Sequence, residues 1–266
     1  MGEAAIRIMS APITQLKRDW FILTSLVGKD FKLKYRRSVL GILWSVLNPL
    51  LMMIVLSVVF SFVFRGTIEP FPVYLILGQT LFTFMSDATS GAMGSIIDSA
   101  PLIKKIRINK MLFPLEKVMF ALLNFAISLV AVAIVMLYFQ VTPTLNLLLL
   151  PVLLFYLFMF CLGLGLLLSS LAVFFRDVMH LWSVVLTAWT YATPLFYSIE
   201  ILPPEVAGIM QFNPMYYYVT YFREIFMYGT TPGLMENLIC FGCGAIALAI
   251  GFAVFRKQQK KFILYV

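Results

Sequence analysis

The fourth of six apolar runs in this chain reads NLLLLPVLLFYLFMFCLGLGLLLSSLAV, residues 146–173, and contains no charged side chain. A helix rises 1.5 Å per residue, so about 20 apolar residues span the ~30 Å hydrocarbon core of a bilayer. Such runs are also too long and too continuously apolar for the strands of a membrane barrel. The other five occupy residues 40–64, 72–95, 114–139, 179–198 and 233–255. The sequence therefore predicts an all-α membrane protein with six transmembrane helices.

The positive charges predict how these helices are oriented. Eight Lys and Arg residues precede the first run, five lie in or beside the second connection, one lies in the fourth and four follow the last run. Only Arg65 and Arg223 fall on the other side. Lys and Arg are retained on the cytoplasmic face, so we expect a multi-pass protein of the cytoplasmic membrane with both termini inside. The net charge of +8 is explained by this topology and by membrane lipids, and it requires no nucleic acid.

Composition and missing motifs exclude several classes of protein. With 62% hydrophobic and 12% charged residues, the chain is not a soluble globular protein. It contains no G-x-x-x-x-G-K-[ST] phosphate-binding loop and a single histidine, His180. No set of side chains suggests a catalytic or metal site. We therefore expect a protein that is not an enzyme and that binds no cofactor itself.

Residues 1–37 are expected to form an amphipathic helix that lies in the cytoplasmic interface. The basic residues at its end can have either of two roles. Lys34, Arg36 and Arg37 either anchor the helix or bind phosphate groups at a substrate entrance. The apolar stripe recurs every three or four positions and consists of Ile13, Leu16, Trp20, Leu23, Val27 and Phe31.

The second connection, residues 98–113, predicts a short amphipathic helix. Asp98 or Ser99 can cap it, Pro101 suits its first turn, and Pro114 favours a break before the third span. This helix either docks on a cytoplasmic partner or only contacts lipid. Its apolar and basic residues are Leu102, Ile103, Lys104, Lys105, Ile106 and Arg107.

The fifth connection, residues 199–230, is too apolar for a solvated loop and too interrupted by proline for a further span. Two short or re-entrant helices at the external face fit it best. Its aromatic residues either form an interfacial belt or a gate that contacts passing sugar rings. The residues concerned are Tyr216, Tyr217, Tyr218, Tyr221 and Arg223.

Asp87 is the main acidic residue within a predicted span. A charge at mid-membrane is costly and usually faces a bundle interior or water. Asp87 is therefore either the proton site of a secondary transporter or part of a wet channel wall. The small polar neighbours Ser86, Thr89 and Ser90 favour helix packing or a channel wall.

Over nearly its whole length the chain resembles the ABC-2 type permeases that export O-antigen, teichoic acid and capsular polysaccharides. In relatives a proline often precedes the basic residue where this chain has Asn109-Lys110. The stretches that carry the resemblance are FKLKYRRSVLGILWSVLNP at 31–49, LIKK at 102–105, FFRDV at 174–178, Thr193-Pro194 with ILPP at 201–204, and NPM at 213–215.

The resemblance implies a homodimer bound to two copies of a separate ATPase, which holds ATP and Mg²⁺. Residues 38–266 are then one six-span domain in which 98–113 is the coupling segment and 199–230 the external gate. Arg176 and Asp177 are expected near the ATPase, with Asp177 capping the fifth span. The implied substrate is a polyprenyl-pyrophosphate-linked polysaccharide. A proton-coupled transporter or channel that uses Asp87 is the alternative.

Overall fold

A computed structural model describes residues 2–36, 38–61, 70–106 and 108–265, and side chains from residue 15 onward apart from Ser61. Arg37, Arg65 and Arg107 thus lie outside the described residues. The described parts of the chain are mostly helical and contain no strand. The helices are α1 (Gly2–Tyr35), α2 (Leu43–Ser61), α3 (Phe71–Asp98), α4 (Ala100–Lys105), α5 (Leu112–Tyr138), α6 (Leu150–Phe174), α7 (Val178–Tyr191), α8 (Pro204–Met210), α9 (Pro214–Arg223), α10 (Leu234–Gln258) and α11 (Phe262–Tyr265).

Three short elements complete the fold. A 3₁₀ turn at Leu145–Leu149 leads into α6, and another at Ile199–Ile201 precedes α8. A π-helical turn, Glu224–Tyr228, continues α9 and ends at Gly229, whose φ of 64° suits a residue without Cβ. The prediction of two short helices between the fifth and sixth runs is confirmed by α8 and α9.

Within the described residues, four segments are long and apolar enough to cross a membrane. These are Leu43–Phe60, Leu112–Tyr138, Leu145–Phe174 and Leu234–Gln258, which match the first, third, fourth and sixth predicted spans. The second span corresponds to α3, which has 28 residues but several polar side chains.

The fifth predicted span, 179–198, is helical only in part, because α7 stops at Tyr191 after 14 residues. Pro194 has no backbone N–H to donate and disfavours a helical conformation at the residue before it. At 1.5 Å per residue, α7 is therefore only about 21 Å long.

The bundle is organised around α3, whose side chains are buried on most sides by α2, α5, α6, α7 and α9. Next to it, α6 and α10 pack backbone against backbone through glycines. A Cβ built on Gly251 would lie 2.0 Å from the Gly163 carbonyl oxygen, and one on Gly163 would lie 2.2 Å from the Ala247 carbonyl carbon. Small residues allow this approach, which supplies close van der Waals packing where lipid offers no hydrophobic driving force.

The two ends of the bundle differ in chemistry. The end that carries α4 and α11 holds exposed lysines, and we call it the basic end. The end that carries α8 and α9 we call the aromatic end. At the basic end one apolar cluster joins six helices, and we call it the basic-end cluster: Ile96, Ile103, Phe113, Leu166, Val173, Phe255 and Phe262.

In the described part of the chain, α7 and α2 leave most of their apolar surface uncovered. In α7 only Leu186 is buried, while Leu181 and Val184 are exposed. In α2 the exposed residues include Ile54 and Val58. Among the residues that the structure describes, no side chain covers these exposed faces, which suit contact with lipid or another protein.

Candidate functional site

The predicted helix of the second connection is present as α4, with Pro101 in its first turn. Ser99 precedes the helix, but no side chain caps it. Ile103 is buried in the basic-end cluster, whereas Ile106 is 53% exposed. Leu102 is half-buried, and Lys104 and Lys105 are exposed. The helix is therefore anchored through Ile103 and presents Ile106 with two lysines outward.

A groove of about 400 Å³ lies beside α4. Its second side comes from Ile263 in α11, which the sequence had not connected with this segment. Lys110 joins the two parts, because its Nζ donates to the Gln259 carbonyl at 2.6 Å and lies 5.9 Å from the Phe262 ring centre. Burial lowers the pKa of the Lys110 ammonium. The lining residues are Ile103, Lys104, Lys105, Ile106, Ile108, Lys110 and Ile263.

Arg176 and Asp177 are exposed at the basic end, in the turn between α6 and α7. The prediction that the Asp177 side chain caps α7 is wrong, because it makes no capping hydrogen bond. Asp177 has helical backbone angles, φ −62° and ψ −20°, whereas a capping residue normally has extended ones. Both side chains therefore remain available to a partner.

A polar cavity of about 380 Å³ lies between α2, α3 and α5. It brings together two residues that the sequence had assigned to different roles, Lys34 and Asp87. Asp87 is exposed to the cavity, and Lys34 stands 5.6 Å from the Phe120 ring centre. The buried Oε1 of Gln79 has no hydrogen-bond partner within the described residues. Further polar side chains in the lining are Ser45, Asn48, Thr80, Thr83, Asn124 and Ser128.

Lys34 reaches this cavity because α1 is fastened along α5. Asp30 on α1 pairs with Lys117 on α5, and Tyr35 donates to Asn124 at 3.0 Å. Burial tends to raise the pKa of the Asp30 carboxyl, but the hydrogen bond and charge of Lys117 lower it below its ordinary value. These contacts hold the end of α1 in place.

The predicted apolar stripe of α1 is only partly covered by the chain. Leu23 and Val27 are buried, while Leu16 and Trp20 are exposed. The side chain of Ile13 lies outside the described residues. Arg36, beyond the helix, is exposed.

At the aromatic end the structure divides the four predicted gate tyrosines into two pairs. Tyr218 and Tyr221 are buried against α10, where their hydroxyls donate to the Cys240 carbonyl at 2.7 Å and to Asn237 Oδ1 at 3.1 Å. Tyr216 and Tyr217 are only half-buried, and their rings meet edge to face with centroids 5.2 Å apart. Of these four tyrosines, Tyr216 and Tyr217 are the two whose rings are accessible and can face a passage.

Arg223 is placed inside the protein rather than on its surface. Its guanidinium lies 3.3 Å from the Tyr74 ring centre and donates to three carbonyl oxygens, Pro194 at 2.8 Å and Leu195 and Tyr74 at 3.2 Å. Burial lowers its pKa to about 10, so it stays charged at neutral pH. Arg223 thus ties α9 to the start of α3 and to the residues that follow α7.

Asn213 also links the start of α9 to α7 and the residues after it. From the sequence it was recognised only as part of the NPM motif. Its Oδ1 accepts from Met215 N–H at 2.9 Å and from the Trp189 indole at 2.7 Å. Its Nδ2 donates to the Ala192 carbonyl and to Thr193 Oγ1, each at 2.9 Å. The signal was available, because Asn followed by Pro is typical of a helix N-cap and first turn.

Comparison with known proteins identifies the family of this chain. The family model for the ABC-2 type transporter matches residues 23–227. The chain is 30% identical over 243 residues to the O-antigen export system permease protein RfbA of Myxococcus xanthus, covering 91% of this chain and 94% of that protein.

Two further relatives match over similar lengths. The O-antigen export system permease protein RfbA of Klebsiella pneumoniae is 28% identical, with 91% of this chain and 93% of that protein covered. The capsule polysaccharide export inner-membrane protein CtrC of Neisseria meningitidis is 23% identical, with 90% and 91% covered. On the extent of these matches, the chain belongs to the ABC-2 type transporter family.

Proposed function

We propose that this chain is the permease subunit of an ATP-driven exporter that moves a polyprenyl-pyrophosphate-linked polysaccharide across the cytoplasmic membrane. Its relatives are named for O-antigen and capsule polysaccharide export. The glycan is thus an O-antigen, a capsular polysaccharide or a related polymer such as teichoic acid. ATP and Mg²⁺ belong to a separate ATPase subunit.

The proposed topology has six spans with the basic end in the cytoplasm. Four spans are supported by length and composition, and α3 is long enough to be another. We assign the remaining span to α7 together with the irregular residues 192–198. The excess of Lys and Arg at the basic end supports this orientation.

The observation that carries the proposal is the placement of α4. Ile103 locks it into the basic-end cluster, which also contains residues of α3, α5, α6 and α10, while Ile106 stays exposed. A force applied to α4 by a partner therefore reaches four long helices directly. The exposed Arg176 and Asp177 lie at the same end and complete the proposed contact with the ATPase.

We also propose that two copies of this chain form a homodimer that binds two ATPase subunits. The uncovered apolar faces of α2 and α7 suit a second copy of the chain, and closing them would bury large side chains. A passage for the glycan would then run between the two copies. This arrangement is a proposal supported by exposure and by family membership.

The cavity between α2, α3 and α5 fits the entrance side of such a path. Lys34 offers a positive charge to phosphate oxygens, and the amide and hydroxyl side chains can exchange hydrogen bonds with sugar hydroxyls. The same cavity supports a second candidate function, proton-coupled transport, because Asp87 is exposed within it. The energy source separates the two functions.

Export by proteoliposomes that contain the permease and its copurified ATPase tests the proposal. The double variant Leu102→Asp/Ile106→Asp should insert into the membrane but lose ATPase binding and export, since charges replace apolar contacts. Asp87→Asn should retain ATP-dependent export. Wild-type binding and export by the double variant, or export that needs a proton gradient and not ATP, would contradict the proposal.

The gate is proposed to consist of Tyr216 and Tyr217, the half-buried pair on α9. Replacing both by Ala should reduce export several-fold while the complex still assembles, because the rings that contact sugars are lost. Tyr221→Phe is the matched control, since it removes only the hydrogen bond to Asn237. Normal export by the double Ala variant would show that the pair is an interfacial belt.

A further inference from the structure

The C-terminal segment folds back onto the basic end instead of extending away from it. After α10 ends at Gln258 the chain turns, and α11 places Phe262 in the basic-end cluster. Phe262 is fully buried, with ring centroids 5.2 Å from Phe255 and 6.1 Å from Phe174. Tyr265 packs edge to face on Phe174 at 4.8 Å. This segment is therefore a fixed part of the fold.

The fixed C-terminal segment forms one side of the groove beside α4. Ile106 on the α4 side is 53% exposed, and Ile263 on the opposite side is 51% exposed. Lys110 holds the two sides together through its bond to the Gln259 carbonyl. The groove thus has two apolar sides on a common base, although they come from residues far apart in the sequence.

The charges around the groove are of one sign. Lys104, Lys105 and Lys110 line it, and none of the described residues in its lining is acidic. Lys260 and Lys261 are exposed in the turn before α11. An apolar groove with a positive rim is complementary to an apolar segment with acidic neighbours.

We propose that the C-terminal segment 259–265 is the second wall of the docking groove for the ATPase subunit, which inserts an apolar segment with acidic neighbours between Ile106 and Ile263. This inference rests on the proposed function and deepens it. It makes the docking site a two-sided groove rather than one coupling helix. Because Phe262 joins α11 to α6 and α10, a load on the groove reaches those helices from both sides.

The ATPase is the occupant that the position of the groove favours. The groove is continuous with α4, whose exposed Ile106 and lysines are the proposed coupling surface. An anionic lipid headgroup would also satisfy the lysines, but it has no apolar part to fill the space between Ile106 and Ile263. The experiment includes both occupants.

The test uses the full chain in nanodiscs of neutral phosphatidylcholine and the ATPase that copurifies with the wild type. Ile263→Asp should weaken ATPase binding by at least about tenfold, since a charge then faces the apolar part of the groove. Leu264→Asp is the matched control. Leu264 is the next residue, is 81% exposed and does not line the groove, so its change should cost less than about twofold.

A second measurement does not depend on a disruptive variant. Ile263→Cys, in a chain whose native cysteines are replaced by Ala, should react with a water-soluble maleimide when the permease is alone. Bound ATPase should protect the cysteine of Ile263→Cys from the maleimide, but it should not protect that of Leu264→Cys. Equal reactivity of Ile263→Cys with and without the ATPase would overturn the inference.

The outcomes also separate this inference from the proposed function. If Leu102→Asp/Ile106→Asp abolishes ATPase binding and Ile263→Asp binds like the wild type, the second wall is wrong and the proposed function stands. If the double variant also binds normally, the coupling assignment itself fails. The second wall is also overturned if Leu264→Asp is as harmful as Ile263→Asp. The same binding measurement is repeated in nanodiscs of anionic lipid. If Ile263→Asp weakens ATPase binding only there, the groove is assigned to lipid headgroups instead.

Discussion

Single residues at the aromatic end connect parts of the chain that hydropathy treats as separate. Arg223 is one of only two basic residues that the charge pattern left outside the basic side, and its guanidinium binds the backbone of two other segments. Its burial would be costly without those three carbonyl oxygens and the face of Tyr74. The residue is thus present for structure and does not weaken the topology argument.

Arg223→Met should destabilise the purified permease by about 1–3 kcal/mol, because buried carbonyls lose a charged donor. Arg223→Lys should recover only part of this, since an ammonium cannot reach three carbonyls and stack on a ring at once. The thermal unfolding midpoint in detergent measures the change. Arg176→Met, at an exposed arginine, is the control and should unfold like the wild type. An unchanged midpoint for Arg223→Met would show that the contacts of Arg223 do not stabilise the fold.

At the scale of elements, α6 and α10 approach each other so closely that their contact requires glycine. The obstacle to a larger residue at Gly251 is the Gly163 backbone, which no side-chain rotation can move away. An added methyl group must therefore separate the two helices. Both helices also carry residues of the basic-end cluster, so their separation would disturb the groove beside α4.

Gly251→Ala should lower the yield of folded permease and its unfolding midpoint, at a cost of about 1–3 kcal/mol typical of overpacking. Gly242→Ala on the same helix is the matched control, because a Cβ there meets nothing within 4 Å. Size-exclusion profiles measure the yield of folded protein for the two variants, and thermal unfolding measures their stability. Equal stability of both variants would show that the helices yield without cost.

For the whole molecule, the decisive property is the difference between its two ends. The basic end carries α4, α11 and Arg176, and the aromatic end carries α8 and α9. We expect the first to meet the ATPase in the cytoplasm and the second to face outward. This orientation rests on the distribution of Lys and Arg.

Single-cysteine labelling in intact cells checks the orientation, with the three native cysteines replaced by Ala. A membrane-impermeant maleimide should modify Thr144→Cys, which is exposed in the connection before α6. It should not modify Lys105→Cys, which is exposed on α4. Labelling of the Lys105 position from outside would invert the topology and remove the proposed ATPase contact.

The sequence by itself determined the all-helical class, four well-supported spans, the α4 helix with its Pro101 and the pair α8 and α9. Each follows from a local property, such as a long apolar run or a proline position, that needs no distant residue. The length of α7 was overestimated because hydropathy counts Pro194 within an apolar run and does not register its missing N–H.

Only the tertiary structure decided which side chains the chain uses for itself. It buried Ile103, Tyr218 and Tyr221, left Ile106 and Tyr217 accessible, and placed Lys34 beside the cavity of Asp87. Local patterns predict that a helix has an apolar face, but they do not say which distant segment covers it. That depends on contacts between residues far apart in sequence, as where Gln259 meets Lys110, because burial is a property of the packed bundle and not of one segment.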